Sequence, residues 1–403
     1  MLQRHSSRAF GQLCAAGFLA YGSYALCRTP LLPLLARQLG GTPETIGVVM
    51  AASTVTGVIL KLPAGAWSDV LGRAPLLLLA AAVFTLLPFA YLAVGSLAAL
   101  IAVRFVHGSA TAIMGPVMSA TISDVAPADR RATWLSTYST IQGAGQAIAP
   151  VLAGFLIAHG RFDVAFVIAG CTAAIAPLLI ARAVRAVPST AATPRSRMRL
   201  RHGILEVLRE RRILVASVTH AAYFMINGTL NAFLPLFAQD RIGLTAIEIG
   251  WLFGMQTVTT LAIRPVIGMA SDRLGRRGAI GAGLLACAVS VLGISIAMSR
   301  AELYTAVLMY AASVAVTTAA TNAYITDVAP KARFGAAHGV FGTIYDIGDA
   351  GGPLAGGLMV AAFGYGATFR TMALVAATAA LTFLWFSRTT GVSPPFSPSP
   401  GDD

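Results

Sequence analysis

Charge is scarce in this chain. Of its 403 residues only 11% are Asp, Glu, Lys or Arg, while 56% are hydrophobic, and mean hydropathy is +0.74. A water-soluble protein of this length needs charged surface on every side, so the balance excludes an ordinary soluble domain and points to lipid as the solvent. Acids are the scarcer sign, 16 against 29 basic residues, for a net charge of +13. The arginines fall in short gaps between apolar runs, and no basic patch interleaved with aromatics exists, so nucleic acid is excluded as a partner. Cysteine is limited to Cys14, Cys27, Cys171 and Cys287, all inside apolar runs with no CxxC or histidine partner spacing. That pattern excludes a disulfide framework or a zinc site and leaves small residues packed between helices. His159, His220 and His338 have no metal-ligand spacing. GxSxG, HExxH and P-loop motifs are missing, and Gly143-Ala144-Gly145 lacks the third glycine of GxGxxG. The expectation is therefore no enzyme, no cofactor and no metal.

Apolar runs of about 20 residues, the length that crosses a bilayer, are abundant. Twelve occur, at 9–35, 46–68, 76–95, 98–120, 133–158, 163–183, 213–238, 247–270, 278–298, 301–324, 335–361 and 366–387. They are too long for barrel strands of about 10 residues. The predicted class is an all-α membrane protein of twelve transmembrane helices. Arg4 and Arg8 before the first run resemble a signal peptide, but eleven further runs make it the first span. Arg73 follows span 2, Arg130 and Arg131 follow span 4, Arg273, Arg276 and Arg277 follow span 8, and Lys331 and Arg333 follow span 10; many arginines also lie between 182 and 212. The alternate gaps lack such clusters, which places both termini in the cytoplasm. The expected division is a bundle at 1–183, a basic cytoplasmic linker at 184–212 with a short interfacial helix near Leu205–Leu208, a second bundle at 213–387, and a Pro- and Ser-rich disordered tail at 388–403.

The two bundles are copies. An offset of 203 residues pairs Gly65 with Gly268, Asp69 with Asp272, Gly72 with Gly275, Arg73 with Arg276, and Asp124-Val125-Ala126-Pro127 with Asp327-Val328-Ala329-Pro330. It also pairs Arg130 with Arg333, Gly145 with Gly348, Pro150 with Pro353, Gly154 with Gly357, and the cations Lys61 and Arg264. Chance does not hold one register over nearly 100 residues. Two parallel six-helix halves with a site between them form a transporter architecture.

Between spans 8 and 9 the chain reads Gly268-Met269-Ala270-Ser271-Asp272-Arg273-Leu274-Gly275-Arg276-Arg277. The first half carries Gly65-Ala66-Trp67-Ser68-Asp69-Val70-Leu71-Gly72-Arg73-Ala74, with Val70 and Ala74 in place of basic residues. Over essentially its whole length the chain resembles the major facilitator superfamily, whose signature is G-x-x-x-D-(R/K)-x-G-(R/K)-(R/K). The resemblance implies a gating latch: Asp69 against Arg130 and the start of span 11, with Asp272 and Arg333 as the pseudo-symmetric pair. Glycine permits the tight connection, and aspartate suits a helix start and an arginine.

Other candidates follow. Arg104-Phe105-Val106-His107-Gly108 resembles the family's R-x-x-x-G pattern, which implies a part in proton coupling for Arg104. An arginine within a span should face a cavity or partner, unless it snorkels to the interface. Span 11 carries Gly348-Asp349-Ala350-Gly351-Gly352-Pro353-Leu354-Ala355-Gly356-Gly357, similar to the antiporter motif G-x-x-x-G-P-x-x-G-G, which the family places in helix 5. Span 5 keeps a degraded copy with Pro150 and Gly154. These small residues and prolines suit close packing and a hinge. Asp346 lies roughly 16 Å along span 11, near the bilayer midplane. Its charge is expensive there without a partner, which suits proton binding and release. Asp349, at i+3, shares its face, so the two acids could share a proton or a cation, or one could pair with Arg28 or Arg104.

By resemblance, spans 1, 4, 7 and 10 line the central cavity, which nominates Tyr21, Tyr24, Arg28, His107, Tyr223, Asn227, Asn231, Asn322 and Tyr324. The expected function is proton-coupled export of a small amphipathic compound by a monomer in the bacterial inner membrane. The rivals are an importer or facilitator of an organic anion held by Arg28 and Arg104, and a non-transporting receptor on the same fold.

Overall fold

The structure, a computed structural model, describes residues 2–127, 130–185, 209–329 and 334–389, with side chains other than those at 2–5, 66, 69, 265–274, 334–336 and 389. Among these residues every regular element is helical. The first half contains α1 (Leu2–Leu26), α2 (Leu31–Gln38), α3 (Pro43–Leu71), α4 (Arg73–Ala90), α5 (Leu97–Val125), α6 (Arg131–Ala158), α7 (Phe162–Ala173) and α8 (Ile175–Val184). The second contains α9 (Arg211–Ile242), α10 (Ala246–Leu274), α11 (Arg276–Ile296), α12 (Arg300–Val328) and α13 (Phe334–Thr389). The expected linker core at 186–208, with its interfacial helix, and the tail at 390–403 lie outside the described residues.

Sequence signals set the helix ends. Ser96 caps α5 through the Ala99 amide. Thr245 with Glu248, and Ser299 with Glu302, form capping boxes at α10 and α12, each satisfying two otherwise orphan amides. Gly72 and Gly275, which the repeat equates, take φ of 89° and 78° between α3–α4 and α10–α11, a conformation that carries little steric cost only in glycine.

Ten helices are long and apolar enough to cross a bilayer. One of them, α13, has 56 residues and would run about 84 Å if straight. It turns at Gly364, where φ is 76°, and so supplies spans 11 and 12. α1, at 25 residues, is also long enough; Gln12, Tyr21, Ser23 and Tyr24 dilute its hydropathy. That gives twelve crossings and returns both ends of the described chain to one side, the near end. The unbroken first span expected at 9–35 is corrected: α1 stops at Leu26 and resumes at Leu31, around Pro30, which has no amide hydrogen to continue the helix. Large apolar side chains face outward, among them Leu86 at 63%, Leu358 at 63% and Trp385 at 67% exposure. Such a surface is stable against lipid and costly against water.

The buried apolar residues form two clusters. One belongs to the near part of the first half and includes Leu13, Ala20, Phe84, Met114 and Ile180. The other joins the second half (Phe233, Phe237, Leu284, Phe369) to Leu31, Ile46, Leu100, Ala153 and Phe166 of the first half. The halves thus share one core at the far end. Glycines allow this approach symmetrically. A Cβ on Gly357 would lie 2.6 Å from the Pro43 carbonyl oxygen, and one on Gly250 would lie 2.6 Å from that of Pro150; the repeat carries Pro150 onto Pro353 and Gly154 onto Gly357. At the same end Arg37 donates to Asp240 at 2.5 Å and to Gln239, and the Tyr365 hydroxyl donates to Asp240 at 2.9 Å. Arg37 and Asp240 are themselves 203 apart, so equivalent positions meet across the pseudo-two-fold axis.

Candidate functional site

Asp346 and Asp349 stand on the part of α13 that packs between α3 and α9. They do not form a shared site. Asp346 is 8% exposed and accepts a hydrogen bond from the Lys61 ammonium of α3. Lys61 also lies over the Tyr345 ring, 5.0 Å from its centroid. Asp349 takes Arg28, in the break between α1 and α2, at 3.5 Å. It also accepts from the Thr54 hydroxyl at 3.2 Å and the Asn227 amide at 3.5 Å. The Tyr310 hydroxyl donates to Asn227 Oδ1 at 3.3 Å and fixes that amide. The expectation that the i, i+3 acids pool a proton or a cation is thereby replaced. α13 carries both acids on one side, but different elements of the first half present a separate cation to each. Both ion pairs join the two halves.

Arg104 meets neither acid. It is fully buried and donates to Ser53 Oγ and, at 3.4 Å, to the Tyr24 hydroxyl, with its guanidinium 5.4 Å from the Tyr24 ring. Tyr24 in turn donates to Ser53 at 3.1 Å. A sealed guanidinium among hydroxyls is not one that snorkels to the interface. Glycine explains how α5 reaches it: a Cβ on Gly108 would lie 2.7 Å from Ser53 Cα.

The remaining cavity candidates divide. Tyr21 is half-buried against Phe84, 5.6 Å between ring centroids. Tyr24, Arg28 and Asn227 belong to the polar networks just described. His107 does not line a cavity; it is fully buried, with Nδ1 3.2 Å from the Tyr91 hydroxyl and Tyr24 and Phe84 against its ring. Tyr223 is 1% exposed and stacks beside His220. Asn231 and Asn322 donate to carbonyls of their own helices, Asn227 and Thr318. Tyr324 faces the last span, edge-on to Phe383 at 5.7 Å. The cavity-lining assignments of His107 and Tyr324 fail because spacing along a span does not say which polar side chain turns inward; Tyr223, though buried, stands within electrostatic reach of Asp349 and Arg264.

The small residues of span 11 serve two helices. Gly348, Gly352 and Gly356 lie against Ala221, Met225 and Thr229 of α9, while Gly357 lies against Pro43 and Glu44 of α3, and Pro353 against Gly47. In the gating motif, Arg73 donates to Asp124 at 3.1 Å and to Ser68 at 2.7 Å, and Arg276 donates to Asp327 at 3.2 Å. These ion pairs obey the repeat offset on both sides. Gly65 and Gly268 lie within α3 and α10, and Arg130 precedes α6. The side chains of Asp69, Asp272 and Arg273 and the whole of Arg333 lie outside the described residues.

The model of the Major Facilitator Superfamily matches residues 13–247 and 216–402. The chain belongs to this superfamily. It is a multi-pass membrane transporter and not an enzyme. Among curated relatives it is similar to the class E tetracycline resistance protein of Escherichia coli, 26% identical over 85% of this chain and 84% of that one. It is also similar to the class D tetracycline resistance protein of Salmonella ordonez, 25% identical over 81% and 83%. Among solved structures it shares its fold with a bacterial homologue of the human lysosomal transporter Spinster, in an inward-facing and unoccupied conformation, at a TM-score of 0.83, 16% identity and coverage of 96% and 97%.

Sequence reasoning missed Lys61, Thr54, Ser53 and Tyr310 as members of this facilitator's polar centre. Lys61 was visible only as a repeated cation. The Asp124 and Asp327 partners stood in the duplicated Asp-Val-Ala-Pro, which marked the repeat without indicating what it binds. Single hydroxyls such as Thr54 leave no pattern, because any span carries a few of them.

Proposed function

We propose that this facilitator exports a small amphipathic compound in exchange for protons, by alternating access between its two six-helix halves. The observation that carries the reading is that both acids of span 11 bind cations of the opposite half, Asp346 to Lys61 and Asp349 to Arg28. A carboxylate that takes a proton loses its charge and most of its hold on the facing cation. Protonation at this depth therefore weakens a tie between the halves, and deprotonation restores it. That couples a proton directly to the rocking of one half against the other. The tetracycline-resistance relatives, at 25–26% identity, support the drug-efflux direction.

The positive-inside pattern puts the near end, with both termini, in the cytoplasm of a bacterial inner-membrane protein. The far end is then the outer gate, held by Arg37, Asp240 and Tyr365. The glycine and proline stretches of spans 5 and 11 act as the hinge surfaces, and Arg73–Asp124 and Arg276–Asp327 brace the cytoplasmic loops. One monomer contains the whole cycle. Arg104 organises Ser53 and Tyr24 beside the path. The organic-anion reading through Arg28 and Arg104 loses support, since Arg28 already faces Asp349 and Arg104 is sealed.

The test is ligand-induced proton release from the purified protein over a compound panel, with Asp346→Asn and Asp349→Asn alongside. Release by the parent and by only one variant identifies the other acid as the coupling group. Binding without release in every variant refutes antiport.

A further inference from the structure

We propose that Arg264 of α10 binds an acidic group of the transported compound, so that the substrate is an amphipathic anion: a carboxylate or similar acid attached to an apolar or aromatic body. The inference rests on the transport reading above and narrows its substrate class.

The placement of Arg264 comes from its helix. Gly250 and Gly254 of α10 lie against Pro150 and Val151 of α6, Leu261 lies against Gly143, and Thr260 donates to the Ala311 carbonyl of α12. Trp251 and Val258, 52% and 56% exposed, mark the lipid side. At about 100° per residue, Arg264 falls roughly 120–140° round the helix from that side. It lies between the faces that meet α6 and α12 and within electrostatic reach of Tyr223 on α9. Its side chain is nevertheless exposed. That exposed face lies where α10 of the second half adjoins α6 of the first, at the seam between the halves.

The repeat says what is missing there. Lys61 corresponds to Arg264, and the acid of Lys61 is Asp346. The same offset carries Asp346 back to Gly143. One of the two symmetry-related cross-half pairs has kept both members, Lys61 of the first half and Asp346 of the second; its mate has kept the cation, Arg264 of the second half, and has Gly143 of the first where the acid would stand. No carboxylate among the described residues pairs with Arg264. An arginine at membrane depth is costly unless something supplies negative charge or water. Among the described residues, Lys61 and Arg28 have acids, and Arg104 is closed off behind Ser53 and Tyr24. Arg264 is accessible and has no acid among the described residues, and a guanidinium binds carboxylates in a planar, two-point manner. Beside Tyr223, the rings of His220, Phe224, Phe341 and Tyr345 stack in one cluster, with Phe224 and Tyr345 4.5 Å apart. Tyr223, His220 and Phe341 are buried, but Phe224 and Tyr345 are only half-buried, and this stacked pair, backed by the other rings, offers an apolar surface for the body of the ligand.

The experiment uses the full chain in phosphatidylcholine nanodiscs, titrated calorimetrically with a panel of aromatic carboxylic acids headed by nalidixic acid, each beside its methyl ester. The parent is expected to bind the acid about ten-fold tighter than the ester, the yield of one charged hydrogen-bonded contact. Arg264→Gln is expected to bind both alike with ester affinity unchanged, and Arg264→Lys to keep part of the preference. An acid preference that survives in Arg264→Gln, or a parent without one, overturns the assignment. Phosphatidylglycerol added to the nanodiscs should leave acid binding intact; loss of binding would mean that a lipid headgroup occupies the site, and would also overturn it. Proton release on ester binding is read in parallel. Release without acid preference leaves antiport standing and removes Arg264, whereas no binding and no release by any compound removes both.

Discussion

Replacing Lys61 with methionine tests the central tie between the halves. The methylenes of Lys61 are conserved in volume by methionine, and the ammonium is lost. Asp346, with 11% of its side chain exposed against 26% for Lys61, is left without its cation. Removing one partner of a fully buried pair costs about 3–5 kcal/mol, and an exposed pair contributes about 0–1 kcal/mol. This pair lies between those limits, so Lys61→Met is expected to destabilise the protein by about 2 kcal/mol at neutral pH. The loss is largest at high pH, where the orphaned carboxylate is charged, and shrinks as pH falls and the acid takes a proton. Lys61→Met with Asp346→Asn removes both charges and should recover most of the loss, so the cycle carries a coupling of at least about 1 kcal/mol. Thermal unfolding of the four proteins in one detergent, at two pH values, measures it. Additive losses, or a Lys61→Met penalty that does not vary with pH, would refute the reasoning.

Arg37→Asp and Asp240→Arg should each open the far end, and the double exchange should close it again; spin labels placed across that end report the distance. The pair is more than a third exposed, so the shift is modest, about 0.5–1 kcal/mol or two- to five-fold in population. Gly357→Val should hold the far end apart, because the Pro43 carbonyl lies where the new side chain begins, with an overpacking cost of about 1–3 kcal/mol and transport lost in proteoliposomes. Gly72→Ala and Gly275→Ala should each cost about 1 kcal/mol through the left-handed backbone alone; a silent substitution at either would show that the loop rearranges freely.

Much of the architecture was already legible in the chain. Twelve apolar runs are dictated by bilayer thickness, since a helix must bury its backbone hydrogen bonds internally along the whole crossing. The 203-residue register ordained two halves, and the structure repeats it in contacts as fine as Gly154 with Gly250 and Gly357 with Gly47. The break after Leu26 was not anticipated, because hydropathy runs straight through Cys27 to Leu35 and a proline in a membrane span kinks or interrupts according to its neighbours.

The sequence by itself determined the solvent, the number of crossings, the duplication and the rarity of acids in the spans, because these depend on composition and on periods along one chain. Only the tertiary structure decided the partners: that Asp346 faces Lys61 and Asp349 faces Arg28, that Arg104 is closed among hydroxyls, and that Tyr324 turns to Phe383. Asp346 and Lys61 are 285 residues apart. Which side chains meet depends on how each helix is rotated about its own axis, and in lipid that rotation is set by close packing of small residues between helices, a sum over many neighbours that no spacing within a single span records.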